Sequence, residues 1–289
     1  AGVPTAVVRD AREAFARLQA ALHGYPGRGL RVIGVTGTDG KTTTARLITA
    51  ILRAAGHAVG AVDTVNAEIG GEQLETGFHT TTPDAPEVQA YLARMVAAGM
   101  EYAVLESTSH GLAQHRVTGC EYDVAVVTNI THEHLDYHGT YEAYRDAKAL
   151  LFRALATSAR KPGMPKVAVL NADDASYPYL AAIPAEVRVA YGTAPGAEVR
   201  AVEVAVSAGG LRLRAVGRGL DLSLASPLVG RYNAHNILAA VATAHALGVA
   251  DEAIRAGVAA VRGVVGRMER IDEGQPFTAL VDFAHTPNA

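Results

Sequence analysis

The residues best placed to carry out chemistry lie in GVTGTDGKT, residues 34–42, which matches the phosphate-binding pattern G-x-x-x-x-G-K-[ST] without a mismatch. Its glycines permit backbone conformations that other residues avoid, so successive amide groups can point at phosphate oxygens. Lys41 adds positive charge, and the Thr42 hydroxyl can bind Mg²⁺. The alternative is a glycine-rich turn that binds nothing. Because a strand-like run precedes the segment and a helix-like run follows it, we interpret it as a nucleoside triphosphate site.

Polar residues follow three further apolar runs, at residues 102–105, 124–127 and 167–170. In open parallel sheets, ligands bind beyond the carboxyl ends of the strands, so the residues after each run are candidates for a site. Glu106 comes directly after the first run, and a metal ion that bridges two phosphates needs hard oxygen ligands. We therefore predict Glu106 as a Mg²⁺ ligand. The alternative is a solvated carboxylate at a strand end.

Histidines are concentrated in residues 110–138, at positions 110, 115, 132, 134 and 138. Any one of them has a structural role by default, but as a group they indicate metal or anion chemistry. The segment HEHLDYH, residues 132–138, approaches the zinc hydrolase pattern H-x-H-x-D-H. That pattern needs a histidine directly after the aspartate, and Tyr137 intervenes. A zinc hydrolase is therefore an alternative that fits the pattern less well.

Lys148 interrupts the apolar face of the helix predicted for residues 141–155. It lies four positions after Tyr144 and three before Leu151, so it shares their face of the helix. A lysine there either extends its amine to water or is buried for a purpose. The pattern alone leaves both interpretations open.

The elements that must position these residues alternate between strands and helices, which predicts an α/β fold with a mostly parallel sheet flanked by helices. A strand at residues 6–8, a helix at residues 11–22 and a hairpin turning at residues 70–71 are also predicted. Asp84 and Glu87 have the spacing of a helix capping box. Alternating segments after about residue 187 predict a small antiparallel β-sheet subdomain at about residues 187–229.

The composition excludes several classes of protein. The chain has 289 residues, a formal charge of −3 and a pI near 6.4, so no general basic field favours nucleic acid. A single cysteine, Cys120, rules out an intrachain disulfide and fits a reducing compartment. No apolar run is long enough for a membrane span or a signal peptide. We expect a cytoplasmic protein without nucleic-acid or membrane partners.

Eight segments, taken together and in order, resemble the motifs of Mur ligases, and most closely those of the UDP-N-acetylmuramoyl-tripeptide synthetases. They are GVTGTDGKTTT, HTTTPDAPEV, ESTSHGLAQHRV, TNITHEHLDYHGTYEAYRDAKALLF, VLNADD, GRYNAHNILAA, GRMERI and VDFAHTP. The sequence departs from the usual motifs at Asp39, Thr108 and Glu133, where asparagine, serine and aspartate are common.

The resemblance implies an ATP-dependent ligase of peptidoglycan precursor synthesis that uses Mg²⁺. Such an enzyme adds an amino acid to a UDP-N-acetylmuramoyl peptide through an acyl phosphate. The alternatives are a related ligase with another acceptor, such as a folylpolyglutamate or cyanophycin synthetase, and a non-ligase ATPase module. The resemblance also implies that residues 28–266 form the central ATP-binding domain. Residues 1–27 would be a remnant or linker from an N-terminal domain, and residues 267–289 would begin a C-terminal domain, so the isolated chain would be inactive.

The resemblance further assigns roles to individual residues. The nucleotide would be held by Gly37, Thr38, Asp39, Gly40, Lys41, Thr42, Thr43, Asn171, Asp174 and Asn236. The muramoyl peptide would contact Thr81, Thr82, Thr108, Gln114 and Arg116. The metal ligands would be Thr42, Glu106, His134 and Lys148, of which Lys148 matches a carbamylated lysine. Lys41, His134 and Lys148 would be catalytic.

Overall fold

The computed structural model describes residues 5–76, 81–207 and 209–284. Its helices are α1 (Ala11–Leu22), α2 (Lys41–Ala54), α3 (Ala85–Ala97), α4 (Ser109–Ala113), α5 (Leu135–His138), α6 (Tyr141–Thr157), α7 (Tyr177–Ala181), α8 (Asn233–Ala246) and α9 (Asp251–Ala260), with a 3-10 turn at Pro26–Gly29. Its strands are β1 (Arg31–Thr36), β2 (Val59–Val62), β3 (Ala67–Ile69), β4 (Glu72–Leu74), β5 (Tyr102–Glu106), β6 (Val124–Val127), β7 (Val167–Asn171), β8 (Val187–Gly192), β9 (Val199–Ser207), β10 (Gly210–Gly217), β11 (Leu220–Ser226), β12 (Glu269–Ile271) and β13 (Ala279–Val281). Within these ranges, no helix has both the length and the apolar character that crossing a membrane requires.

The main sheet has the strand order β11-β10-β9-β8-β7-β6-β1-β5-β2-β3-β4. β1 pairs in parallel with β5 on one side and with β6 on the other, and β2, β7 and β8 extend the parallel region. β9, β10 and β11 are antiparallel to one another, and β9 joins the same sheet through a short parallel pairing with β8. The predicted α/β class is confirmed, and the predicted antiparallel strands continue the main sheet.

Both faces of the parallel region are covered by apolar helices. Side chains alternate along β1, so Ile33 and Val35 join one core while Val32 joins the other. Helices α2, α8 and α9 supply the first core, and α3 and α6 supply the second. With both faces buried, polar ligands can approach this region only at the ends of its strands.

The residues after β1, β5, β6 and β7 meet at one edge, because these strands are parallel and adjacent. Three helices begin near this edge with clear local signals. α2 begins directly after Gly40, and α6 is capped by the Thr140 hydroxyl, which accepts a hydrogen bond from Ala143 N at 3.1 Å. Asp84 and Glu87 form the predicted capping box of α3. Caps and turns thus fix where the polar side chains emerge.

The strand predicted at residues 6–8 is wrong. These residues form no ladder within the described chain, and Val7 is 97% exposed. A short apolar run becomes a strand only where a neighbouring strand accepts its backbone hydrogen bonds. The predicted helix at Ala11–Leu22 and the hairpin of β3 and β4 are confirmed. Residues 79–80, which begin the motif HTTTPDAPEV, and residues 285–287, which end the motif VDFAHTP, lie outside the described residues.

Candidate active site

The phosphate-binding loop connects the end of β1 to the start of α2. Gly37 has φ +148° and Gly40 has φ +79°, both in the region that favours glycine. Side chains also have no room, because a Cβ atom on Gly37 would lie 1.8 Å from Thr128 Oγ1 and one on Gly40 would lie 2.2 Å from Asn236 Oδ1. The loop therefore needs glycine at both positions for two independent reasons.

We expect Gly40→Ala to lose about 1–2 kcal/mol of unfolding free energy from its left-handed backbone, and about 1–3 kcal/mol more from overlap with Asn236. Gly56 is a matched control, because its φ is +88° and a Cβ atom there would meet no heavy atom of the described chain within 4 Å. Gly56→Ala should lose only the part that comes from the left-handed backbone, that is, about 1–2 kcal/mol of unfolding free energy. Urea unfolding of both variants measures the two losses. Equal losses would mean that overlap with Asn236 costs nothing.

The loop is braced from the end of β6 by two residues that sequence analysis did not assign. The carbonyl oxygen of Asp39 accepts from Thr128 Oγ1 at 2.6 Å and from Asn129 Nδ2 at 3.0 Å. Asn129 Oδ1 in turn accepts from Asp39 N at 3.0 Å, and the Asn129 carbonyl accepts from Thr38 N at 2.8 Å. Asp39 therefore serves the loop through its backbone, which Asn129 holds on both sides.

Two lysine amines reach backbone carbonyls of the same loop. Lys41 Nζ donates to Thr38 O at 2.7 Å, and Lys148 Nζ donates to Gly37 O at 2.6 Å. Lys148 is 1% exposed, so the alternative in which its amine extends to water is wrong. Burial, with the nearby charge of Lys41, holds the pKa of Lys148 well below its usual value. Both effects disfavour the ammonium form relative to that of a lysine in water.

Tyr144 links the phosphate loop to the segment before α5, next to the amine of Lys148. Its hydroxyl lies 3.0 Å from Thr38 Oγ1 and donates to Glu133 Oε2 at 3.1 Å, while its ring centroid lies 4.5 Å from Lys148 Nζ. Thr38 Oγ1 also accepts from Thr131 N at 3.0 Å. Burial raises the pKa of Tyr144, so its hydroxyl stays protonated and able to donate. The phosphate loop, α6 and the segment before α5 are thus linked by one network.

Glu106, at the end of β5, is 2% exposed and uses its two oxygens differently. Oε2 accepts from Thr42 Oγ1 at 2.9 Å, from Thr64 N at 3.1 Å and from Thr64 Oγ1 at 3.0 Å. Oε1 is buried and has no hydrogen-bond partner among the described residues. A buried carboxylate oxygen without a partner is costly, so it marks a place for a cation. Thr42 and Glu106 therefore fit Mg²⁺, which prefers hard oxygen ligands.

Three of the five histidines gather in an aromatic cluster with Tyr137. The ring centroid of His110 lies 4.6 Å from that of His134, 5.4 Å from that of His138 and 4.4 Å from that of Tyr137. Burial lowers the pKa of His134, and burial together with the neighbouring His110 lowers the pKa of His138 to about 4. These rings are therefore neutral near pH 7, the form that can bind a metal.

The other two histidines lie apart from this cluster. The ring centroid of His132 lies 5.4 Å from that of Tyr141, and His115 Nε2 lies 3.7 Å from Asp10 Oδ2. In the part of the chain that the structure describes, no group of three or more His, Cys, Asp or Glu side chains could hold a metal ion. The zinc hydrolase interpretation therefore has no ligand set among these residues.

Four of the residues predicted to contact the muramoyl peptide form one hydrogen-bonded group beyond β5. Thr82 Oγ1 lies 3.0 Å from Thr108 Oγ1, and the Thr82 carbonyl accepts from Arg116 Nη1 at 2.9 Å. Gln114 Oε1 accepts from Arg116 Nη2 at 2.7 Å. Thr81 directly precedes Thr82 and is partly exposed. The structure thus brings these residues together at the same edge as Glu106.

Asn171, Asp174 and Asn236, the three expected nucleotide-binding residues outside the phosphate loop, also make hydrogen bonds or close contacts within the protein. Asn236 faces Gly40, as described above, and Asn171 Nδ2 donates to Thr128 O at 2.6 Å. Asp174 Oδ2 accepts from Ile130 N at 3.0 Å. Asn171 and Asp174 therefore also support the segment after β6.

Asp173 is a neighbouring residue that sequence analysis missed. Its Oδ2 lies 2.9 Å from His235 Nε2 and accepts from Thr193 N at 2.6 Å and Thr193 Oγ1 at 2.8 Å. It therefore ties the end of β7 to α8 and to the end of β8. A cavity of about 350 Å³ adjoins this tie and is lined by Thr193, Val204, Arg231, Tyr232, Ala234 and His235.

The phosphate loop and the strands around it match a known family model, that of the Mur ligase middle domain, over residues 35–244. The chain belongs to the Mur ligase family. It is 47% identical over 294 residues to UDP-N-acetylmuramyl-tripeptide synthetase from Roseiflexus sp. (strain RS-1), a match that covers 99% of this chain and 58% of that protein. It is 43% identical over 287 residues to UDP-N-acetylmuramoyl-L-alanyl-D-glutamate--2,6-diaminopimelate ligase from Geobacillus kaustophilus (strain HTA426), with the same coverage. The family predicted from the motifs is confirmed.

Solved structures show the same fold. A UDP-N-acetylmuramoyl-L-alanyl-D-glutamate--2,6-diaminopimelate ligase superposes with a TM-score of 0.81 at 32% identity, covering 98% of this chain and 57% of that one. Folylpolyglutamate synthase from Mycobacterium tuberculosis, complexed with ADP and AMPPCP, superposes with a TM-score of 0.77 at 23% identity, covering 96% and 68%. This Mur ligase chain spans a little over half the length of the curated Mur ligases named above.

Proposed function

We propose that this chain is the ATP-binding part of a ligase that joins an amino acid to a UDP-N-acetylmuramoyl peptide in peptidoglycan precursor synthesis. The observation that carries the proposal is the buried carboxylate of Glu106 beside the phosphate loop, within a Mur ligase middle domain. Residues 28–266 form that domain, and residues 1–27 and 267–289 connect it to further domains of a cytoplasmic enzyme. The isolated chain is inactive because the site needs those domains.

In the proposed site, the loop amides and the amine of Lys41 bind the β- and γ-phosphates of ATP. Asn171, Asp174 and Asn236 lie towards its adenosine. Thr42 and Glu106 hold Mg²⁺, which neutralises charge on the phosphates when bound. The hydrogen-bonded group of Thr82, Thr108, Gln114 and Arg116, with Thr81 beside it, binds the muramoyl peptide.

The proposed reaction has two steps. A carboxylate oxygen of the muramoyl peptide attacks the γ-phosphorus, the bond to ADP breaks, and an acyl phosphate forms. The amine of the incoming amino acid then attacks the acyl carbon, loses a proton, and displaces inorganic phosphate. Lys41 and the loop amides stabilise the negative charge that both steps concentrate, so catalysis rests on positioning and electrostatics.

Lys148 in this proposal is carbamylated. Its neutral Nζ attacks the carbon of CO₂, a nitrogen–carbon bond forms, one N–H proton leaves to water, and the amine becomes a carboxylate-like anion. That anion and His134 would be the ligands of a second Mg²⁺. The burial of the amine among Gly37 and Tyr144 supports the proposal, because a protonated lysine would be costly there.

We expect ¹³C-labelled bicarbonate to produce one carbamate signal in the NMR spectrum of the wild type, and none in Lys148→Met. Lys166 provides an internal control. It is 4% exposed, but its Nζ lies 2.9 Å from Asp123 Oδ1 and is engaged in that ion pair, so we expect no carbamate at this lysine. A carbamate signal that persists in Lys148→Met would contradict the assignment.

The proposed activity is tested with the full-length protein, ATP and Mg²⁺, by measuring phosphate release as a function of acceptor. We expect release to require both UDP-N-acetylmuramoyl-L-alanyl-D-glutamate and an amino acid. Release that depends on a folate acceptor and glutamate instead would favour a folylpolyglutamate synthetase. Hydrolysis of ATP without any acceptor dependence would favour an ATPase module.

A further inference from the structure

Thr64 is the residue beside Glu106 to which neither the motifs nor the reaction assigns a role. It supplies two of the three hydrogen bonds that Oε2 accepts, one from its backbone N–H at 3.1 Å and one from its hydroxyl at 3.0 Å. Thr42 supplies the third, and Oε1 is left without a partner among the described residues. The two oxygens of the Glu106 carboxylate therefore differ in hydrogen bonding, and Thr64 supplies most of the bonds that make them differ.

We infer that Thr64 is a positioning residue for the metal site, holding Glu106 so that Oε1 alone faces the ion. The inference rests on the proposed function, in which Glu106 binds Mg²⁺. Mg²⁺ requires nearly ideal octahedral geometry at short distances, so a carboxylate that rotates binds it less well. Donors to the non-ligating oxygen restrict that rotation, as outer partners of metal ligands generally do.

Thr64 is itself held rigidly by a turn at Asp63. Asp63 Oδ1 accepts from Val65 N at 2.8 Å and from Asn66 N at 3.2 Å, so the carboxylate closes the loop that contains Thr64. Asp63 is fully buried at the end of β2, the strand beside β5. The Thr64 backbone N–H is thus fixed by a buried side chain one position earlier.

The turn is also tied to α2, the helix that begins at the phosphate loop. Arg46 Nε lies 2.5 Å from Asp63 Oδ2, and Arg46 Nη2 donates to Asn66 Oδ1 at 2.7 Å. Arg46 lies four positions after Thr42, so both point from neighbouring turns on the same face of the helix. The first turns of α2 therefore position Glu106 twice, directly through Thr42 and indirectly through Arg46, Asp63 and Thr64.

The test uses the full-length protein, a non-hydrolysable ATP analogue and Mn²⁺, whose binding is followed by electron paramagnetic resonance. Thr64→Val removes the hydroxyl at nearly constant volume, and we expect it to weaken Mn²⁺ binding to the nucleotide complex about 10–100-fold. Thr64→Ser keeps the hydroxyl and should restore most of that affinity. Affinity for the analogue without metal should not change, whereas general misfolding would weaken both.

Thr49→Val is the matched control. Thr49 also lies on α2 and is buried, but its hydroxyl has no hydrogen-bond partner in the described chain, so the same substitution should leave Mn²⁺ binding unchanged.

A second variant, Glu106→Gln, tests the metal site itself and so distinguishes it from the positioning role of Thr64. If Glu106→Gln weakens Mn²⁺ binding and Thr64→Val does not, the role of Thr64 is wrong. If Glu106→Gln has no effect, the metal site of the proposed function is wrong, and the inference fails with it.

Discussion

The Lys41→Ala variant of the full-length protein is expected to consume ATP on the order of 10³-fold more slowly than the wild type. In phosphoryl transfer, charge spreads over the oxygens of the γ-phosphoryl group, and catalysis depends on fixed positive groups around it. The amine of Lys41 already lies against the loop, 2.7 Å from Thr38 O, so it needs little rearrangement to reach a bound phosphate. The Lys41→Ala substitution removes a positive charge from the place where negative charge accumulates on the γ-phosphoryl group.

Arg53→Ala is the control for this prediction. Arg53 lies in the last turn of the same helix, where it pairs with Glu68 at 2.7 Å, far from the phosphate loop. Its removal takes one positive charge from α2 without touching the site, so ATP consumption should remain near the wild-type rate. A Lys41→Ala variant that keeps the rate of Arg53→Ala would contradict the role given to Lys41.

The Lys148→Met variant is expected to lose about 10²–10³-fold in ATP consumption, the cost of removing one preorganised charged group from an active site. Methionine fills similar volume but cannot form a carbamate, so the proposed second metal loses a ligand. Because the side chain is buried away from the surface, the loss should appear in turnover with little change in expression or oligomeric behaviour. Rates of single turnover in bicarbonate buffer measure it.

In bicarbonate-free buffer, the wild type and the Lys148→Met variant should differ in how their unfolding free energies depend on pH. An unfolded chain keeps Lys148 protonated up to a pKa of about 10.4, whereas burial makes the folded protein release that proton at lower pH. Between the two pKa values the unfolded state binds more protons, so rising pH stabilises the folded wild type by at most about 1.4 kcal/mol per pH unit. The unfolding free energy of the wild type minus that of the Lys148→Met variant should therefore increase with pH. A constant difference would mean that the amine stays charged.

The placement of the candidate phosphate-binding residues was predictable because one strand–loop–helix segment contains them. Gly37, Gly40, Lys41 and Thr42 follow a spacing whose physical requirements are local, and Glu106 follows from the rule that parallel strands end together. The burial of Lys148 could not be decided from the helical pattern, because a lysine can extend its amine from an apolar face to water.

Residues that position others were missed because their partners are distant in sequence. Asn129 holds the backbone of Asp39 across 90 positions, and Thr64 holds Glu106 across 42. Nothing in the local pattern around either residue predicts such a partner, since loops after strands are polar for many reasons. The strand predicted at residues 6–8 failed for the same reason, because pairing depends on a neighbour that periodicity does not reveal.

Transfer of the γ-phosphoryl group of ATP to a carboxylate at this site can be tested directly in the full-length protein. The acceptor carboxylate of the muramoyl peptide is labelled with ¹⁸O, and the inorganic phosphate released during ligation is analysed by mass spectrometry. We expect each phosphate to carry one labelled oxygen, because the carboxylate oxygen that attacks phosphorus leaves with it when the amine displaces phosphate. Ligation that releases unlabelled phosphate would rule out an acyl phosphate intermediate.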